Sequence, residues 1–346
     1  MWEERIQKVR EWIKEKKADA VLVSSAYNIQ YLTGFIGLSP YEREAFCLVD
    51  GEKTTLVVPM MYEEHARSLG KQIVLCIDGE RKGLLPLACS LLQGKKIVLI
   101  EEHVLKHTEY VRLQQDGGEF RSAELYIEHL RERKDDHEIA LLKMADELTK
   151  TVLQKFEYML KTVDYTQFSE LQCTDMLRTM AIEVGGDGLS FDPIVASGVG
   201  NSQPHYRTSS KKLEKNGVIL VDVGVKYHGY CGDLTRTFLV GDVSDEVKNV
   251  YAAVEAGHDA CVKQVRIGVT GAQLYETLYS SFRESGFLQP MPHSLGHGVG
   301  LELHEGPHLK PSAEQALQKG MVVTIEPGIY RAGKFGVRIE SMRVIE

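Results

Sequence analysis

From Glu3 to Lys16 apolar residues return at helical spacing (Ile6, Val9, Trp12, Ile13), which predicts an amphipathic helix buried along one face. The chain then runs apolar at Ala18-Asp-Ala-Val-Leu-Val, as a strand covered on both faces does. Phe46-Cys-Leu-Val, Thr54-Thr-Leu-Val-Val, Ile73-Val-Leu-Cys-Ile and Lys96-Ile-Val-Leu-Ile read as further strands, with helical stretches at Met61–Leu69 and Leu85–Leu92 between them. This alternation predicts an α/β N-terminal domain over residues 1–125. From Ser122 to Lys161 the pattern becomes long, charged and helical, with a break near Lys134-Asp-Asp where a new helix can be capped. A second domain is expected over residues 126–346. Its elements are a helix at Phe168–Val184, a strand at Val218–Gly224, helices at Glu246–Val265 and Gly271–Gly286, and strands thereafter.

Against that pattern, acids stand where apolar residues belong. Asp222 interrupts Gly217-Val-Ile-Leu-Val-Asp-Val-Gly, and Asp233 follows in Gly229-Tyr-Cys-Gly-Asp-Leu-Thr-Arg-Thr-Phe. A tight turn at Tyr227-His228 would set the two directly opposite each other across an antiparallel hairpin; a shifted turn would leave them near-neighbours. Glu326 ends the run Met321-Val-Val-Thr-Ile, ahead of Pro-Gly, and Glu340 closes Val337-Arg-Ile. These two are symmetric about Gly333, as in a second hairpin. Facing like charges repel, and burial makes the repulsion worse. Each acid taken singly has another reading, a salt bridge to Arg236, Arg338 or Lys334. Four together call for a divalent cation.

Four of the 12 histidines lie between 293 and 308, in His293-Ser-Leu-Gly-His297-Gly-Val-Gly-Leu-Glu-Leu-His304-Glu-Gly-Pro-His308. One imidazole with four carboxylates is a hard donor set that suits Mn²⁺, Co²⁺ or Zn²⁺. Because carboxylates bridge, five side chains suffice for two ions about 3.5–4 Å apart. His304-Glu-Gly-Pro-His308 matches the H-E-x-x-H zinc motif in letters only, since that motif needs a helix and Pro307 breaks one. Gly296-His-Gly-Val-Gly lacks the final glycine and the preceding strand of a dinucleotide loop.

Composition narrows the classes. With 346 residues, 43% hydrophobic and 26% charged, the chain is that of a globular protein of two ordinary domains. Its 41 Lys+Arg against 49 Asp+Glu leave a net charge of −8, which argues against nucleic acid as partner. No apolar run is long enough for a membrane span and Met1-Trp-Glu-Glu-Arg leads into no signal core, so neither a membrane nor export is expected. Six scattered cysteines without a C-x-x-C pair read as reduced core thiols of a cytoplasmic protein.

As a set, Asp222, Asp233 in GYCGDLTRTF, His297 in HSLGHGVGLELHE, Glu326 in TIEPGIY and Glu340 in GVRIE resemble the five metal ligands of the pita-bread metallopeptidases. That family includes methionine aminopeptidase, aminopeptidase P and prolidase. The resemblance runs along the whole chain. It implies an α/β N-terminal domain followed by an α+β pita-bread (creatinase/aminopeptidase-like) catalytic domain. Asn28–Phe35 (NIQYLTGF), His205 in Asn201-Ser-Gln-Pro-His, His293 and His304 resemble the Xaa-Pro branch, as does the presence of the N-terminal domain. That branch implies two divalent metal ions, proline-containing peptides as substrates and a homodimer.

By the same resemblance, Glu326 is ligand and proton relay, His205 and His304 steady the oxyanion or the proline carbonyl, and His293 walls the proline pocket. Arg338 holds a liganding carboxylate. Pro40-Tyr-Glu-Arg43 resembles the bacterial prolidase loop that reaches toward a dimer partner's active site, where its arginine would suit a dipeptide carboxylate. The chain departs from the pattern at His308, where prolidases carry arginine, at Gly232, where serine is usual, and at Ser341, where aspartate is common. Xaa-Pro dipeptidase is slightly favoured, with aminopeptidase P as the alternative; a metal-free creatinase-like hydrolase and a non-catalytic peptide-binding module are the rivals of another class.

Overall fold

The computed structural model describes residues 2–115, 118–288 and 291–346. It divides into two compact units, Met1–Arg131 and Glu132–Glu346.

The first unit is a six-stranded sheet with helices. Ile6, Val9, Trp12 and Ile13 bury one face of α1 (Trp2–Glu15). The strands β1 (Ala20–Val23), β2 (Phe46–Asp50), β3 (Thr54–Pro59), β4 (Ile73–Asp78), β5 (Ile97–Ile100) and β6 (Glu119–Ser122) lie in the order β4-β3-β2-β1-β5-β6. β1 pairs antiparallel with β2 and parallel with β5. The apolar runs produced the central strands. The edge strand β6, Glu-Phe-Arg-Ser, has no such run and escapes a hydrophobicity reading.

The helix α2 (Ala26–Thr33) has no long apolar periodicity either. Its signals are the Ser25 cap, whose side chain accepts from Asn28 N–H, and Gly34 closing it at φ 77°. Two short helices, α3 (Glu63–Arg67) and α4 (Leu84–Leu91), fall where helices were expected, while α5 (His107–Gln115) lacks a clear periodic signal. The unit boundary falls inside α6 (Tyr126–Glu132), six residues past the expected 125/126. α6 is tied into the first unit by Arg131 Nη1 donating to Asn28 Oδ1 (2.8 Å).

The second unit begins where a cap was read. Asp135 and Glu138 form a reciprocal capping box at the start of α7 (Asp136–Thr162). α7 and α8 (Glu170–Glu183) bury Val152, Phe156, Cys173 and Leu177 against a sheet of β8 (Ile194–Ser197), β9 (Gly217–Val223) and β12 (Leu234–Val240). A small sheet joins β7 (Gly188–Leu189), β10 (Val225–Tyr227) and β11 (Tyr230–Cys231). Helices α9 (Asp245–Gln264) and α10 (Gly271–Glu284) bury Val250, Val254, Leu274 and Leu278 against Leu295, Val323, Ile325 and Val337. Those last residues belong to the sheets formed by β13 (Gly296–Gly298), β14 (Glu305–Leu309), β15 (Val322–Ile325) and β18 (Ser341–Val344), and by β16 (Gly328–Arg331) and β17 (Phe335–Arg338), or lie beside them. Among the described residues no helix is long and apolar enough to cross a membrane.

Candidate metal centre

Two hairpins place the four acids. The first does not turn where the tighter expectation put it. Tyr227 pairs with Tyr230, so His228 (φ 47°) and Gly229 (φ 84°) form the two-residue turn, the left-handed geometry that hairpin twist favours. Moving the turn by one residue moves the register by two, so Asp222 faces Thr235. Asp233 lies two positions earlier, just ahead of β12, as the near-neighbour alternative held.

Symmetry about Gly333 is present in the second hairpin. Ile325 pairs with Ser341 and Gly328 with Arg338, so the same register carries Glu326 opposite Glu340 between the two ladder segments. Gly232 also has a local reason. A Cβ there would sit 2.4 Å from Thr149 Oγ1 and 2.8 Å from the Ala145 carbonyl of α7, which excludes serine at this packing.

His297 comes from β13. Asp233, His297 and Glu340 are all buried, and each offers one ligand atom within 4.8 Å of the others. The Nδ1 of His297 lies 2.9 Å from the Gly298 carbonyl, which only accepts, so Nδ1 carries the proton. Nε2 therefore turns a lone pair toward Asp233 Oδ2 (3.5 Å) and Glu326 Oε1 (3.7 Å). Burial holds this imidazole neutral, lowering its pKa to about 4.

The carboxylates strain against one another. Burial, then Glu340, Asp222 and Glu326, push the Asp233 carboxyl well up. Burial, then Glu326 and Asp222, do the same to Glu340, and burial lifts Glu326 to about 7. Asp222 Oδ1 is buried and has no hydrogen-bond partner.

Plain salt bridges do not account for this set. Arg338 Nη2 donates to Asp222 Oδ2 at 2.6 Å, and that is the cation bonded to these carboxylates among the described residues. Arg236 donates to the main-chain oxygens of Thr235 and Glu340, and Lys334 pairs with Glu246. Lone pairs and acceptor oxygens thus converge with too few donors between them. A cationic metal fits that space, with Asp222, Asp233, His297, Glu326 and Glu340 as the residues to hold it.

Around this group Arg338 has a wider role than one ion pair. Its Nε donates to Thr235 Oγ1 (3.1 Å), which donates to Glu340 Oε2 (2.8 Å). Its Nη1 reaches Tyr330 Oη (3.1 Å), which in turn bonds His293 Nε2 (2.9 Å). One guanidinium thereby orients Asp222 directly, Glu340 through a hydroxyl and His293 through a phenol. Thr235 and Tyr330 were not singled out by sequence reasoning. The signals were their places, facing Asp222 and four residues past Glu326.

The ring of His304 meets that of His297 edge-on at 4.4 Å between centroids. His205 is exposed, whereas burial lowers the pKa of both His293 and His304. His304 leads into β14, a strand, so the H-E-x-x-H letters have no helical meaning here. Arg43 lies in the first unit, where it pairs with Glu109 (2.9 and 3.1 Å) and donates to the carbonyls of Ser24 and Val104. These bonds occupy all three of its guanidinium nitrogens.

Residues 140–346 match metallopeptidase family M24, and residues 5–133 match the creatinase/prolidase N-terminal domain. The chain is 30% identical over 344 residues to an Xaa-Pro dipeptidase of Pyrococcus horikoshii, covering 99% of this chain and 94% of that one. It superposes on an Xaa-Pro dipeptidase structure from Bacillus anthracis with a TM-score of 0.91 at 29% identity, covering 100% of this chain and 95% of that one. An X-Pro aminopeptidase structure from Thermotoga maritima gives a TM-score of 0.86 at 29% identity, covering 99% of this chain and 95% of that one. The acid–imidazole cluster sits inside the portion that matches the peptidase family, and the chain therefore belongs to metallopeptidase family M24, as a peptide-hydrolysing enzyme preceded by a creatinase/prolidase N-terminal domain.

Proposed function

We propose that this enzyme hydrolyses the bond between any residue and a following proline, with Xaa-Pro dipeptides as preferred substrates and two divalent ions, Mn²⁺ or Co²⁺ before Zn²⁺, as cofactors. The observation that carries the reading is the convergence of Asp233, His297 and Glu340 beside an unpaired Asp222 oxygen, within a set whose donors are too few. Bound metal supplies Lewis acidity, lowering the pKa of water and polarising a carbonyl.

The chain's own groups do the rest. Glu326, at the edge of the cluster with a carboxyl near neutrality, takes up and passes on the proton. His304 and His205 donate to the developing oxyanion or to the proline carbonyl. His293, kept neutral by burial and held by Tyr330, walls the proline side. The relatives named above support the choice of proline, and the dipeptidase names support the preference for dipeptides. A cytoplasmic homodimer completes this reading, by likeness to the family.

Aminopeptidase P activity is the second reading, and one observation favours it. A dipeptidase needs a cation for the free carboxylate, yet Arg43 is committed to Glu109 within its own unit and His308 stands where prolidases carry arginine. Turnover of an Xaa-Pro dipeptide and an Xaa-Pro-Xaa tripeptide, each with Mn²⁺ and with Co²⁺, decides between them. Dipeptide preference is the expected result, and tripeptide preference reverses the assignment. A metal-free creatinase-like reaction or a binding role would instead leave the purified protein without transition metal and indifferent to added Mn²⁺.

Metal removal has a pH signature. The Glu326 carboxyl rises from 4.5 to about 7 on folding, so between those values the folded chain keeps a proton that the unfolded chain has lost. In chelator-treated protein the stability contributed below pH 4.5 is therefore lost as pH rises toward 7. The loss is on the order of 3 kcal/mol for this group. Urea midpoints of the chain and of Glu326→Gln, compared across that window without metal and with Mn²⁺, isolate it. The gap between the two should change with pH only when metal is absent; a constant gap would place Glu326 outside the acid cluster.

A further inference from the structure

One buried carboxylate outside the acid cluster has no part in the chemistry above. Glu170 opens α8 and is 0% exposed. Its Oε1 accepts from the Ser197 N–H (3.0 Å), and its Oε2 accepts from Tyr206 Oη (2.9 Å), Ser209 Oγ (2.8 Å) and the Ser209 N–H (3.1 Å). Ser197 ends β8, and the segment from there to Ser209 carries His205. A single carboxylate thus clasps both ends of the loop that presents this histidine.

The loop is held from a second direction as well. Arg338 Nη1 donates to the carbonyl of Pro204 at 3.1 Å. The two neighbours of His205 are therefore tied to different charged groups. Pro204 is tied to the guanidinium that also holds Asp222, and Tyr206 to Glu170. That arrangement fixes where the imidazole stands relative to the acids.

We propose that Glu170 is a positioning residue for the peptidase reaction, acting through the placement of His205. The inference rests on the reading that His205 touches the substrate. Its chemistry is specific to a carboxylate, which only accepts hydrogen bonds. In Glu170→Gln one end of the side chain becomes a donor. Whichever way the amide faces, its NH₂ meets a main-chain N–H, that of Ser197 or that of Ser209.

The test is a double-mutant cycle on the metal-loaded full chain, using Glu170→Gln, His205→Ala and the two together on an Xaa-Pro dipeptide. Glu170→Gln should lower kcat about tenfold with KM changed less than about threefold, as misplacement of a positioned group does. Added to His205→Ala it should cost nothing further, because the histidine through which it acts is gone. Losses that multiply would overturn the proposal and leave Glu170 a general fold anchor. Should Glu170→Gln not fold, Tyr206→Phe removes one clasp donor and is read by the same criterion. Hydrogen exchange supplies an arm that needs no substrate. Amides of 198–209 should lose protection in Glu170→Gln while those of β9 and β12 keep theirs, and unchanged protection of the loop would refute the clasp. A wild-type enzyme inactive on every Xaa-Pro peptide would count against the proposed function, with the exchange arm still deciding the clasp.

Discussion

Replacing Asp233 or Glu340 by Ala will lower turnover by on the order of 10³-fold or more and will not destabilise the metal-free protein. The activity loss follows from the metal's share of transition-state stabilisation, several kcal/mol, at about 1.4 kcal/mol for each factor of ten. The stability half of the expectation distinguishes a metal site from a structural acid. Burial and the neighbouring carboxylates raise both acids, so without metal each is a cost to the fold. Removing one relieves repulsion. Metal content by elemental analysis should fall with activity, while the urea midpoint of chelator-treated Asp233→Ala should match or exceed that of the parent. A variant that loses stability without metal and keeps its turnover would sink the ligand assignment.

The second large effect falls on a buried ion pair beside the site. Lys134, just ahead of the α7 cap, bonds Glu305 at 2.5 Å, with 1% and 5% of the two side chains exposed. Its main-chain N–H also donates to the Gly320 carbonyl (2.8 Å). Glu305 opens β14, directly after His304, and pairs with Gly298 of β13, the strand that carries His297. Lys134→Met breaks this buried pair from one side by taking the ammonium away from Glu305, a change that costs about 3–5 kcal/mol. Replacing both partners, as in Lys134→Met with Glu305→Gln, removes the charge along with its partner and should recover part of that loss. Denaturant unfolding of the three variants measures it. Equal stability of parent and Lys134→Met would show that the pair contributes nothing.

Much of this architecture was legible because local chemistry and tertiary packing agree. The 3.6-residue recurrence of Ile6, Val9, Trp12 and Ile13 describes the buried face of α1, and Lys134-Asp-Asp marks a cap that forms as a reciprocal box. Symmetry about Gly333 is preserved because one turn sets the register of two strands for their full length. At His228-Gly229 the same logic missed by one residue, since several neighbouring pairs can host a tight turn and only the backbone angles choose among them.

Other features have no local signature. α2 is short and carries its signal in its caps, and β6 lacks the apolar run that betrays a covered strand. Thr235, Tyr330 and Glu170 matter through partners more than thirty residues away, and a threonine or a glutamate in isolation has no marker of that kind. Arg43 shows the reverse, a residue whose motif suggests a substrate and whose guanidinium is bonded within its own unit.

The sequence alone determined that four acids interrupt apolar strands in hairpin order, with a histidine among glycines between them. Burying such groups needs compensation wherever they lie, and this identifies metal chemistry before any coordinate. The tertiary structure decided which atoms meet. It brings Asp233, His297 and Glu340 within 4.8 Å, leaves Asp222 Oδ1 unpaired and assigns Arg338 to orient three of their neighbours or members. Convergence of that kind depends on strand register and on packing between segments more than a hundred residues apart, and periodicity along the chain carries no information about either.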